Sequence, residues 1–262
     1  MPAFGEVLTA ATPIEGGIAV DVPETWHQGR TAYGGFSSAL CLAAAQQVGG
    51  EGLAPLRSAQ MAMMAPVAGH VRATARIERQ GRNATWISAR IDGDKGLAFT
   101  ASFVFMGRVE SALHLNDRPV PEGLVPAEAG RPETLTRDMP VFLAENFETR
   151  HAFAAEPGKR PEICRWVRLS DSAGLDPMVE LLLLGDALPP GVLPMLPAIV
   201  PLSSMHWQVA LLDPAPRTSE GWWLLRSVGD YAEHGCSSQR MAIWNAGGAA
   251  VMAGMQSIAL FG

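Results

Sequence analysis

Few residues in this chain of 262 combine a reactive type with an unusual setting. Asp186 follows Leu181-Leu182-Leu183-Leu184-Gly185, so its carboxylate is expected to be partly desolvated. Desolvation penalises the charged form, raises the pKa and makes the group a better general base near neutral pH, provided a partner keeps it ionised. Gln256 closes the apolar run Val251-Met252-Ala253-Gly254-Met255, and strand interiors rarely bury an amide without a partner. Gln256 and Ser204, which has Ser203 beside it, are neutral donors and acceptors. They can orient a water or bind a developing oxyanion without competing for its proton. Each also has a plainer reading: a solvated turn aspartate, an edge glutamine, a serine that only opens a strand.

Better-known reactive patterns are missing. There is no Gly-x-Ser-x-Gly elbow, Walker loop, His-Glu-x-x-His or Gly-x-Gly-x-x-Gly. His27, His70, His114, His151, His206 and His234 have no ligand-like spacing, so no metal site is expected. Cys41, Cys164 and Cys236 are far apart and odd in number, which fits reduced thiols in a cytoplasmic protein. A net charge of −6 argues against nucleic acid or an anionic membrane held by bulk electrostatics. The longest apolar runs, Ala39 to Ala45 and Leu181 to Leu184, are far shorter than the roughly 20 residues of a membrane span. Met1 to Gly16 has acids and prolines where a signal peptide needs an apolar core. A soluble cytoplasmic protein with a substantial core is expected, its hydrophobic fraction being 48%.

The elements that must position these groups occur in the same order twice. In residues 1–107, a hairpin around Gly16-Gly17 ends at Pro23, and a polar loop covers Thr25 to Arg30. Tyr33 to Gln47 then reads as a helix apolar all round, hence buried, closed by Gly49-Gly50; Gly34-Gly35 would let its first turn approach another backbone. Extended runs follow, including Val71 to Glu78, Ala84 to Ile91 and Leu97 to Phe105, the last two joined by the turn Asp92 to Gly96. Residues 108–139, rich in Pro, Glu, Gly and Arg without a period, read as a linker. Residues 140–262 repeat the order: a hairpin of Phe147 to Ala152 and Ile163 to Leu169, an N-cap and first-turn proline at Asp176-Pro177, and a buried helix Met178 to Ala187. A proline-rich stretch, Pro189 to Pro201, precedes strands near Ser203 to Leu211, Trp222 to Tyr231, Ser238 to Trp244 and Ala249 to Leu260. A one-helix, many-strand unit cannot bury both faces of its sheet alone, so the two copies should form one body. The helix starts at Tyr33-Gly34-Gly35 and Asp176 offer backbone N–H groups that could polarise a carbonyl.

Arg30-Thr31-Ala32-Tyr33-Gly34-Gly35, the hairpin from Gly81-Arg82-Asn83 to Ser102-Phe103, and Gly248 to Gln256 resemble the acyl-CoA thioesterase II family in order and spacing, over nearly the whole chain. The resemblance implies an α+β fold of the double hot-dog type, two tandem hot-dog repeats forming one continuous antiparallel sheet around two central helices. It implies hydrolysis of acyl-CoA to a free acid and coenzyme A by direct attack of water, with no cofactor, no metal and no covalent intermediate. In such enzymes an aspartate, a threonine or serine and a glutamine of the second repeat hold that water. Here they match Asp186 as base, Ser204 with Ser203 as fallback, and Gln256. Serine replaces the more usual threonine, and His206 stands where an acidic residue is expected.

Arg30, Tyr33, Gly34 and Gly35 are the candidate substrate-binding residues, although Tyr33-Gly34-Gly35 equally suits a helix–sheet packing point. Arg30, Arg82 and Arg168 are candidates for gripping the nucleotide on charge alone. Met61, Met63 and Met64 suit an acyl-lining surface or ordinary core. The expected partners are acyl-CoA and further copies of the chain, as dimer or tetramer. Two other functions share the expected fold: a hydratase or dehydratase on acyl thioesters, whose short His/Asp motif is not found, and a non-catalytic acyl-CoA binder.

Overall fold

A helix with no polar stripe has to be surrounded, and in this chain alternating strands on both sides of it in sequence do so. The computed structural model describes every residue except Met1, Leu135, Arg137, Asp138, Glu156, Pro157, Ile199 and Gly262. The first half contains α1 (Phe4–Thr9), β1 (Thr12–Ile14), β2 (Gly17–Asp21), β3 (His27–Gln28), β4 (Thr31–Ala32), α2 (Gly34–Gly49), β5 (Leu56–Met63), β6 (His70–Gln80), β7 (Ala84–Gly93) and β8 (Gly96–Met106). The second contains α3 (Val141–Asn146), β9 (Phe147–His151), β10 (Glu162–Leu169), α4 (Pro177–Gly185), β11 (Leu202–Leu211), β12 (Trp223–Glu233), β13 (Cys236–Asn245) and β14 (Ala250–Leu260).

Twelve of these strands form one sheet in the order β1-β2-β6-β7-β8-β5-β11-β14-β13-β12-β10-β9. Read from each edge to the middle, the halves have the same connectivity: hairpin, helix, then four strands of which the first ends beside the other repeat. The joint is the antiparallel pair β5 and β11, where Met61 faces Trp207 and Ala59 faces Val209. Each half is a helix wrapped by a curved antiparallel sheet, the hot-dog arrangement, so the chain is a double hot-dog with α2 and α4 packed together inside.

The alternation that predicts the strands also produces the core. Ile87, Ala89 and Ile91 of β7 face Phe103, Ala101 and Phe99 of β8, and all six are buried beneath α2. In α4, Leu181 to Leu184 are all fully buried. Asp176 caps its start, its Oδ1 accepting from the N–H groups of Met178 (2.9 Å) and Val179 (3.2 Å), with Pro177 in the first turn.

Two short helices differ from the sequence expectation. Neither α1 nor α3, with six residues each, is long enough to display a helical period. What holds α3 is tertiary. The ring of Phe142 stacks on Tyr33 at 4.1 Å with 5° between planes, and Asn146 Nδ2 donates to the carbonyl of Thr25 at 2.7 Å. Phe4, Trp26, Phe36, Tyr33, Phe142 and Phe147 thus form one aromatic cluster drawn from both repeats.

The segment between the repeats also does more than cross over. Trp244 Nε1 donates to the carbonyl of Arg118 (2.8 Å) and Trp166 Nε1 to that of Val125 (2.9 Å). Residues near Val120 to Ala127 cover a second apolar cluster of Trp166, Trp222 and Trp244 on the outside of the second repeat. This docking through main-chain carbonyls leaves no sequence period. Leu135, Arg137 and Asp138 of that segment, Ile199 of the proline-rich stretch, Met1 of the first sixteen residues and Gly262 of the second repeat lie outside the described residues. Among the described residues no helix is long and apolar enough to cross a membrane.

The aromatic cluster predicts unequal effects within α3. Phe142 is 3% exposed and Val141 50% exposed. Phe142→Ala should lower the unfolding free energy by about 3 kcal/mol, and Val141→Ala should change it by less than about 0.5 kcal/mol. Urea unfolding of both variants measures this; equal effects would contradict the docking described.

Candidate functional site

Asp186 occupies the C-cap of α4, where the apolar helix stops and its last turn meets the first turn of α2. Gln256 lies on β14 and Ser204 near the start of β11. Gln256 Nε2 donates to Asp186 Oδ1 at 2.6 Å and to Ser204 Oγ at 3.1 Å, so one amide nitrogen spans the other two groups. The hydroxyl that reaches Gln256 is that of Ser204. Ser203 Oγ turns instead to the carbonyl of Ser204, at 3.4 Å. A bulge between Ser204 and His206 resets the alternation of β11 at this point. Ser204 and His206 each pair with a β14 residue, while Met205 is the extra one.

The surroundings of Asp186 come from both repeats. Its carboxylate lies against the first turn of α2, where a Cβ on Gly34 would stand 2.3 Å from Asp186 Oδ2 and 2.9 Å from Met63 Cε. Glycine is required there for close approach. The N–H of Gly35 donates to the carboxylate. Burial pushes the Asp186 pKa up from 3.8 to about 7, while the bonds from Gln256 and Gly35 pull it back down. The positive end of α2 adds to that pull, since anions are stabilised at a helix N-terminus.

Tyr33 is fully buried, stacked on Phe142, and donates its hydroxyl to the carbonyl of Leu183 in the last turn of α4. It therefore has no surface left for a ligand, which corrects the expectation that it binds substrate. Burial first, and the nearby Asp186 second, raise its pKa well above the usual phenol value, so it remains a neutral donor. Its effect is to satisfy an end carbonyl of α4 and fix the turn that carries Asp186.

A cleft of about 510 Å³ opens beside these groups. Asp186, Ser203, Ser204, Gly34, Ser37 and Arg30 supply its polar side, and Met63, Met64, Val67, Phe99, Leu202 and Phe261 its apolar side. Gly34 and Arg30 line it; Gly35 acts through its amide on Asp186. Of the methionines, Met61 is buried core, while Met63 and Met64 face the cleft. The other two arginines lie elsewhere. Arg82 lines a separate surface hollow, and Arg168 is held by both carboxylate oxygens of Glu148 at 2.8 Å and stacks over Trp222. The α4 N-terminus is closed by the Asp176 cap at the far end of the helix from Asp186, so it offers nothing to a ligand in this cleft.

One residue of this set was missed in the sequence. Gln239 on β13 is fully buried and faces Gln256 in register, donating from Nε2 to Gln256 Oε1 at 2.7 Å. The signal that singles out Gln256, an amide closing an apolar run, is absent at Gln239, which stands between Ser238 and Arg240; only the pairing of β13 with β14 reveals it. Among the described residues no group of three or more His, Cys, Asp or Glu is placed to hold a metal ion. All three cysteines are free thiols, and burial raises those of Cys41 and Cys164, the latter to about 12.

Comparison with known proteins gives a consistent assignment. The family model described as the acyl-CoA thioesterase C-terminal domain matches residues 121–260, and that of the N-terminal domain matches residues 22–106. No curated protein matches the chain. Among solved structures, a conserved protein of unknown function with a hot-dog fold from Alicyclobacillus acidocaldarius is 20% identical, with a TM-score of 0.87 over 100% of this chain and 99% of that one. An acyl-CoA thioesterase II from Mycobacterium marinum is 16% identical, with a TM-score of 0.77 over 99% and 98%. The tesB protein of Mycobacterium avium subspecies paratuberculosis is also 16% identical, with a TM-score of 0.79 over 100% of both chains. At these identities the structural likeness speaks to the fold.

The raised pKa of Asp186 makes stability depend on pH. Between about pH 4, where the unfolded carboxyl titrates, and about pH 7 in the folded state, the native form holds a proton that the unfolded chain has lost. This group's contribution to stability is therefore present below that window and lost as pH rises through it. Asp186→Asn cannot titrate, so its melting temperature should gain on the wild type between pH 5 and pH 8. A difference that stays constant over that range would refute the raised pKa.

Proposed function

Since the chain belongs to the acyl-CoA thioesterase family, we propose that it hydrolyses acyl-CoA to a free carboxylic acid and coenzyme A by direct attack of water. The observation that carries this reading is the Asp186 carboxylate, held half-buried at the cleft wall with its pKa near 7 and tied through one amide to a hydroxyl. A base poised near working pH has both the right protonation state and the driving force for proton transfer.

Gln256 uses both amide hydrogens on Asp186 and Ser204, and so holds the two groups at a fixed separation. Ser204 Oγ accepts from Gln256, which leaves its own hydrogen free for a water at the cleft wall. In the reaction that water gives a proton to Asp186 as its oxygen attacks the thioester carbonyl carbon. The first turn of α2, at Gly34, offers its partial positive charge to the developing oxyanion. Collapse of the tetrahedral intermediate breaks the C–S bond, and the departing thiolate takes up the proton that Asp186 received. Met63, Phe99 and Val67 provide apolar surface for an acyl group, and Arg30 provides positive charge at the rim for the phosphates of the ester.

A hydratase or dehydratase on the same thioesters would need a histidine near the reacting carbon. Among the described residues that line the cleft there is none.

Free-thiol release from a panel of acyl-CoA esters tests the proposal. The wild type should turn over at least one ester, with kcat/KM rising through about pH 7 as Asp186 ionises. Asp186→Asn should lose about 10² to 10⁴ in rate, the range of a general base, and Ser204→Ala less. Wild-type turnover by Asp186→Asn would defeat the assignment, and tight binding of acyl-CoA without thiol release would mark a non-catalytic binder.

A further inference from the structure

A glutamine side chain can present either its oxygen or its nitrogen to a neighbour, and at this site the choice decides whether Asp186 receives a hydrogen bond or faces a second acceptor. The amide of Gln256 does not make that choice alone. Its Oε1 accepts from Gln239 Nε2 at 2.7 Å, and Gln239 Oε1 accepts from the backbone N–H of Gly191 at 2.8 Å. A backbone N–H can only donate, and an ionised carboxylate can only accept. With a donor fixed at one end and an acceptor at the other, the row Gly191, Gln239, Gln256, Asp186 can run in one sense only.

The donor end is fixed by packing. Gly191 lies in the turn after α4, pressed against β12 so closely that a Cβ would stand 2.7 Å from the nitrogen of Gly229 and 2.8 Å from the carbonyl oxygen of Ser227. Asp186 and Gly191 are on the same stretch of chain, so the row closes a ring that starts and ends in that stretch.

We propose that Gln239 is a positioning residue of this site: it passes the polarity of the Gly191 amide to Gln256, so that Gln256 donates to Asp186 and Ser204. In the reaction it acts through Gln256 and never touches substrate, a role that rests on the hydrolase reading above. The other groups near Asp186 do not compete for this function. The Tyr33 phenol is engaged by Leu183 and stays neutral, Arg30 is exposed at the rim, His206 is exposed on β11, and Glu180 of α4 accepts from Trp223 Nε1 at 2.8 Å.

The test is Gln239→Leu, which keeps the bulk and removes both polar atoms. Gln256 is then free to turn its oxygen toward Asp186, and the Asp186 titration midpoint should rise by about half a unit or more, since a lost donor disfavours the carboxylate. That midpoint is read without turnover, from the pH dependence of the infrared carboxyl band that Asp186→Asn removes. In thiol release kcat should fall about tenfold with KM within about twofold, the mark of a loss in transition-state rather than ground-state binding. An unchanged midpoint together with wild-type kcat, whatever the melting temperature, overturns the proposal. Should Gln239→Leu fail to fold, Gln239→Glu decides. Its protonated carboxyl still donates to Gln256 Oε1 and its carboxylate does not, so its rate relative to wild type should fall across the range, about pH 6 to 9, in which a buried glutamate ionises. A constant ratio overturns the proposal. If the wild type releases no thiol from any ester, the hydrolase reading fails, while the Asp186 midpoint in the Gln239 variants still decides the orientation.

Discussion

The carboxylate of Asp186 sits on the N-terminus of a helix from the other repeat, and the rest of the molecule is arranged around that contact. Burying a carboxylate without compensation costs several kcal/mol or forces it to take up a proton. Here the compensation is divided. The second repeat supplies the Gln256 donor, and the first supplies the Gly35 N–H and the positive end of α2. Neither repeat alone could hold the group near its balance point. With less compensation it would be protonated and inert as a base; with full solvation it would ionise at the usual carboxylate pH and be too weak a base.

Several features with no direct part in chemistry are consequences of that requirement. Gly34, which opens α2, lets a carboxylate approach a helix end to a distance no Cβ would allow, and Gly35 beside it leaves room for the Tyr33 ring and the Leu183 carbonyl. Tyr33 caps the last turn of α4 from the start of α2, so the end of one helix and the beginning of the other are tied before any ligand is considered. The aromatic cluster under α3 locks the loop that leads into Tyr33 to the entry of the second repeat. The β5 and β11 joint sets Met61 against Trp207, which pairs in turn with Gln256 on β14. The cleft is thus a seam between two copies of one fold, and sheet, helices and aromatic cluster all hold the seam together.

A fused pair of similar units need not be used symmetrically, and this one is not. In the second repeat α4 has nine residues against sixteen in α2, and the chain it gives up becomes the turn that ends at Gly191 and closes against β12. The segment between the repeats covers the outside of the second sheet through carbonyls offered to Trp166 and Trp244. The acid, the alcohol and both glutamines come from the second copy, and the helix end that receives the carboxylate comes from the first.

Most of the fold could be read from the chain alone, because the physics that fixes it is local. Helices apolar on every side must be enclosed, strands with a two-residue alternation must lie on them, and Asp176-Pro177, Gly49-Gly50 and the turn Asp92 to Gly96 mark where each begins or ends. The chemical types of the site were legible for a similar reason, since a carboxylate after four leucines and an amide in an apolar strand are expensive unless partnered. What the partners are is a matter of long-range contact. That Tyr33 is sealed and structural, that Ser204 and not Ser203 meets Gln256, that Gly35 holds Asp186 and that Gln239 stands behind Gln256 depend on a bulge in β11, a stacked ring 109 positions away on α3 and the register of β13 on β14. Sequence sets which groups must find a partner when buried; only the packing of one repeat on the other decides which partner they find.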